Sequence, residues 1–126
     1  MIEVSQTEFE KIVSEAIDAL PAKYIKHMKN VAFVVEDIPT PEQRQKLHLH
    51  DGHILFGLYE GIPLTRRTNN YTMVLPDKIT IFKEPLLAIS HSLKQLQENV
   101  RHTVWHEVAH HFGLDHGQIS KLDGGR

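Results

Sequence analysis

The stretch SLKQLQENVRHTVWHEVAHHFGLDH, residues 92–116, decides how this chain is read. Ser92 with Gln95 is a helix-start signal, and the run that follows has helical period as far as about Phe112. On a wheel of about 100° per residue, Leu93, Leu96, Val100, Val104, Val108 and Phe112 fall in one sector roughly 160° wide, the stripe expected to face a core. His106 and His110 occupy a different sector, about 40° apart and one turn above each other, so their imidazoles can converge on one ion. Glu107 is placed at the border between the two sectors, within reach of the open side of such an ion. His111 falls on the apolar side and is expected to pack; His102 is read as facing elsewhere. A straight helix would carry His116 too far along the axis to join the pair. Gly113 is free to take positive φ, end the helix and turn the chain back, which brings His116 over the imidazoles as a third ligand.

Working outward, the rest of the sequence supplies a mixed framework. Ser5 and Glu8 form a capping box, and Phe9, Ile12, Val13, Ala16, Ile17 and Leu20 repeat at helical spacing up to Pro21. Residues 22–30 have room for a short helical turn. Residues 31–35 are a β-branched run expected to form a buried strand, and Thr40, Pro41 and Gln43 open a short polar helix over residues 42–46. An Asp51-Gly52 turn precedes an expected strand at 54–59, residues 61–71 read as a long loop, and a Pro76-Asp77 turn leads into alternating residues 78–83. The flanking lysines of that last strand suit a sheet edge. Pro85 begins a brief helix to about Ser90. The expected fold is α+β: one domain over residues 1–126, a sheet of three or four strands, an N-terminal helix and a long C-terminal helix that carries the paired imidazoles.

Composition narrows the chemistry. The 126 residues suit a single core. The chain has no Cys, so a metal site must be built from imidazoles and carboxylates, and thiolate chemistry is excluded. Ten histidines are the one anomaly in composition. With 14 basic against 16 acidic residues there is no charge excess to grip nucleic acid, and no apolar run is long enough for a membrane span. The first residues carry an early Glu and no signal-peptide pattern, which makes the cytoplasm the expected location.

His106-Glu107-Val108-Ala109-His110 is an HExxH sequence, and with Gly113 and His116 it has the extended HExxHxxGxxH form. This segment resembles the zinc helix of the metzincin branch of zincin metallopeptidases. Together with residues 55–64 (LFGLYEGIPL) and 75–81 (LPDKITI), it is most similar to the small bacterial minimal-metalloproteinase-like zincins. The resemblance implies a compact zincin-like fold, one catalytic zinc ion, His106, His110 and His116 as ligands, Glu107 as general base, and an extended peptide bound alongside a sheet edge, for which residues 78–83 are the candidate. It also raises Asp115 as an alternative third ligand, because an acidic residue after the glycine turn is frequent in such proteins. The ten residues after His116 hold no Met, so the methionine turn of true metzincins is expected to be missing.

The chemistry expected of such a site is hydrolysis of a peptide amide bond in an extended peptide or unfolded protein segment. Two alternatives accompany it: hydrolysis of a small amide or ester, and a zinc-containing binding module or catalytically weak domain whose cleft a protein partner completes. Tyr59, Tyr71 and His53 are candidates to stabilise the oxyanion. Glu60, at a strand end beside Gly61, is a candidate to hydrogen-bond a ligand imidazole. Trp105 is expected to brace the helix. His48, His50 and His53 read as a solvated hairpin, and Arg66, Arg67, Arg44 and Lys46 as short basic patches too small for nucleic acid.

Overall fold

The computed structural model describes residues 2–28, 30–46, 54–61 and 77–113. The elements in chain order are α1 (Gln6–Asp18), α2 (Ala22–Ile25), β1 (Val31–Glu36), α3 (Pro41–Lys46), β2 (Gly57–Glu60), β3 (Asp77–Phe82), α4 (Lys83–Ile89) and α5 (Leu93–His111). The chain is α+β, with a three-stranded sheet among the described residues.

Local chemistry explains where the helices begin. At α1 the Glu8 amide donates to Ser5 Oγ at 3.1 Å and the Ser5 amide donates to Glu8 Oε1 at 3.3 Å, the reciprocal pair of a capping box. Thr40 and Gln43 make the same exchange ahead of α3, at 3.0 and 2.8 Å. At α5 the Gln95 amide donates to Ser92 Oγ. α4 begins at Lys83, two residues before the expected Pro85, because a first-turn proline lacks only an amide that the helix leaves unpaired anyway.

The strand order is β1-β3-β2, with β1 parallel to β3 and β2 antiparallel to it. Residues 78–83 were expected to form an edge; the strand is instead β3, paired on both sides and shifted by one residue. Its Ile79, Thr80, Ile81 and Phe82 are all fully buried, a pattern that belongs to a central strand covered on both faces. The expected strand at 54–59 is paired only over Gly57–Glu60.

Strand alternation then assigns the faces. Asp77, Ile79 and Ile81 share one face with their register partners Val31, Phe33 and Val35 on β1 and Tyr59 and Gly57 on β2. That face packs on the helices: Ile79 and Ile81 join Phe9, Ile12, Val13 and Ala16 of α1 and Leu96, Val100, Val104 and Val108 of α5 in one core. The apolar stripe read from the α5 wheel is buried from Leu96 to Val108, whereas Leu93 in the first turn is 52% exposed and Phe112 is half-buried. Among the described residues no helix is long and apolar enough to cross a membrane.

Candidate metal centre

The centre is built on the last two turns of α5. His106, Glu107 and His110 each offer one ligand atom, and these atoms all lie within 4.8 Å of one another. Two donors on a tetrahedral ion with bonds of about 2.0 Å stand roughly 3.3 Å apart, so the side chains are gathered to within about 1.5 Å of that spacing. The imidazole centroids of His106 and His110 are 4.7 Å apart, as the i,i+4 relation demands. Two imidazoles as donors, with no thiolate and with the Glu107 carboxylate beside them, suit a borderline ion such as zinc.

Glu107 is 7% exposed and sits with its Oε1 3.4 Å from His110 Nδ1. It occupies this place because β2 comes unusually close to α5. A methyl group on Gly57 would lie 2.8 Å from Thr103 Cγ2 and 3.0 Å from Glu107 Cγ. Glycine in a strand often marks such an approach of two backbones. Thr103 is in turn held by its own hydroxyl, which donates to the Asn99 carbonyl at 2.8 Å. Beside this contact a cleft of about 250 Å³ opens, lined by residues 54–57 and by His102, Thr103, His106 and Glu107. His102 thus belongs with the imidazoles, one turn before His106 with its ring centroid 6.3 Å away, rather than facing elsewhere.

The C-terminal end of α5 is fixed by two devices. Gly113 has φ 79°, the left-handed conformation expected of it, and its amide donates to the His110 carbonyl at 2.9 Å. Two residues earlier, at the last position of the helix, His111 is 2% exposed and its Nδ1 donates to Asp77 Oδ2 at 2.8 Å. Tyr59 donates its hydroxyl to the same oxygen, also at 2.8 Å. This buried network ties the helix end to the first residue of the central strand. Read from sequence, Asp77 belongs to a turn, and its place in this network is missed. A signal was present in Gly61, where a methyl group would fall 2.5 Å from the Asp77 carboxylate.

Glu60 is paired with lysines, not with the imidazole of His106 or His110. It lies on the opposite sheet face from Tyr59, in register with Lys78, and pairs with Lys78 at 3.7 Å and Lys46 at 3.9 Å. Tyr59 reaches the Asp77–His111 network. Trp105 packs 5.1 Å from Tyr24, in the bracing role expected of it. His116, Asp115, Tyr71, His48, His50, His53, Arg66 and Arg67 lie outside the described residues.

With this geometry in view, the sequence model of the zincin-like metallopeptidases matches residues 28–126. The chain belongs to that family. The match takes in every strand and the whole of α5, leaving only α1 and α2 before it. Among solved structures, this zincin-like chain is similar to a conserved hypothetical protein from Thermo thermophilus, with 18% identity and a TM-score of 0.55 over 97% of this chain and 100% of that one. That likeness is one of fold. No curated protein matches the chain.

Proposed function

We propose that this chain is a single zinc-dependent peptidase domain in which His106 and His110, with His116 as third ligand, hold one ion and Glu107 acts as general base. The observation that carries the reading is the placement of Glu107, a largely buried carboxylate at the mouth of a cleft and beside two imidazoles spaced for one ion. Family membership supports the same chemistry. Asp115 is the competing third ligand, and a metal-bound structure showing which side chain approaches to about 2.0 Å separates the two.

A zinc ion bound there supplies Lewis acidity, polarising a scissile carbonyl and lowering the pKa of a water to roughly 7. The chain's own residues do the rest. Glu107 accepts a proton from the attacking water as its oxygen bonds to the carbonyl carbon, then gives that proton to the amide nitrogen as the C–N bond breaks. Gly57, lacking a side chain, leaves room for the Glu107 stem beside Thr103 at the wall of the cleft. The substrate class is an extended peptide or unfolded segment. β2 is the sheet edge nearest α5 among the described residues, so it takes the peptide-docking role first given to residues 78–83.

Replacing Glu107 by Gln keeps volume and removes the base. Peptide-library cleavage should fall by about two to four orders of magnitude, with zinc content unchanged. Zinc-dependent cleavage that survives the substitution overturns the mechanism.

A further inference from the structure

A second and larger cleft, of about 730 Å³, runs along the other flank of α5, between that helix, the end of α1 and α2. Its volume is in the range of roughly 300–1,000 Å³ common to ligand sites. Leu20, Tyr24 and Trp105 give it an apolar wall, and Tyr24 is fixed by a tilted contact with the Trp105 ring at 5.1 Å and an edge contact with Phe112 at 5.2 Å. Its rim carries two cations, Lys23 and Arg101, against one carboxylate, Glu98. Lys23 Nζ stands 5.1 Å over the Tyr24 ring, Arg101 Nε reaches only the Gln97 carbonyl at 3.5 Å, and among the described residues neither cation has a carboxylate within 4.0 Å.

The cleft shares one wall residue with the smaller cleft beside the metal centre. His102 lines both it and the smaller cleft beside Glu107, and its ring is 6.3 Å from that of His106. On the α5 wheel, Arg101 and Trp105 stand about 100° and 60° from His102. His102 thus stands between the metal centre and the larger cleft, where the next residues of a peptide held over His106 and His110 would come.

We infer that this cleft is a substrate subsite for a peptide bearing a bulky apolar side chain next to a carboxylate, the apolar group against Tyr24 and Trp105 and the carboxylate between Lys23 and Arg101. Resting on the peptidase reading, this makes the preferred substrate class acidic-apolar peptide segments. The selectivity is local: the chain as a whole has a net charge of -2 and does not steer anions towards itself.

The test uses Trp105, the only tryptophan in the chain, as a reporter built into the cleft wall. The full chain carrying Glu107→Gln, so that nothing is turned over, is titrated with acetylated and amidated octapeptides that differ only in a central Phe-Asp or Phe-Lys pair. The Phe-Asp peptide should give a saturable change in tryptophan fluorescence and bind about tenfold more tightly than Phe-Lys. Arg101→Glu should reverse that preference, and Arg101→Lys should largely preserve it. Arg101 is exposed, so a thermal melt of each variant should match the parent. Equal binding of the two peptides, an unchanged preference in Arg101→Glu, or no saturable change at millimolar peptide each overturns the assignment. The peptidase reading fails separately: if the unsubstituted chain cuts neither peptide while the charge-dependent fluorescence change persists, the subsite stands and the hydrolytic chemistry falls.

Discussion

Gly57→Ala tests whether the close contact of β2 with α5 is what seats Glu107. The added methyl would lie 2.8 Å from Thr103 Cγ2, 3.0 Å from Glu107 Cγ and 3.3 Å from the Thr80 carbonyl oxygen. Ordinary contact of this kind begins near 3.4 Å, so α5 or its side chains must retreat by about 0.6 Å. Thr103 has little freedom to do so. It is β-branched within a helix, and turning it breaks the hydrogen bond to the Asn99 carbonyl. Overpacking of this degree costs about 1–3 kcal/mol. At roughly 2.1 cal/mol/K per residue, a chain of 126 residues should then lose about 4–11 °C in Tm. The sign is informative, because glycine in an open strand position is worse than alanine by roughly 0.5–1 kcal/mol. Adding Thr103→Ser removes the nearest clashing methyl and keeps the hydroxyl, so the double variant should recover at least about 0.5 kcal/mol relative to additivity. Urea denaturation of the parent, both single variants and the double variant measures all of this. A Gly57→Ala protein as stable as its parent, or more so, refutes the reasoning.

Three further outcomes are expected. Asp77→Ala removes the acceptor of the His111 Nδ1–H and of the Tyr59 hydroxyl, and should cost about 2–6 kcal/mol by urea denaturation, at roughly 1–3 kcal/mol for each bond lost at the buried helix end; a loss under about 1 kcal/mol would mean the network holds little. Gly113→Ala imposes a left-handed conformation on a residue with a side chain and should destabilise the chain by about 1 kcal/mol, with weaker zinc retention in a chelator competition if the turn delivers the third ligand. Gly61→Ala places a methyl against the Asp77 carboxylate and should reproduce part of the Asp77→Ala loss in the same denaturation assay.

The metal centre was the most legible part of the sequence, because a helix converts spacing into direction. His106 and His110 had to share a face, and Gly113 had to be the residue that tolerates positive φ. The caps at Ser5, Thr40 and Ser92 were equally readable, since each depends on residues only three apart. What stayed hidden was set by strand pairing. Whether residues 78–83 form an edge or a centre depends on β1 and β2 arriving on either side, and nothing local in Lys78 or Lys83 encodes that. The same long-range pairing turns Glu60 away from α5 and brings Tyr59 and Asp77 to His111, 34 residues beyond Asp77. His111 itself was legible as a packing residue from the wheel, but its partner was not.

Whether His106 and His110 hold a zinc ion on α5 is measured most directly by bound metal. Elemental analysis after exhaustive dialysis should find about one zinc per chain in the parent and a sharp loss in both His106→Ala and His110→Ala, because two imidazoles of the set are then reduced to one. Circular dichroism on the same samples separates lost ligands from lost fold. Zinc at parental stoichiometry in both variants would contradict the account.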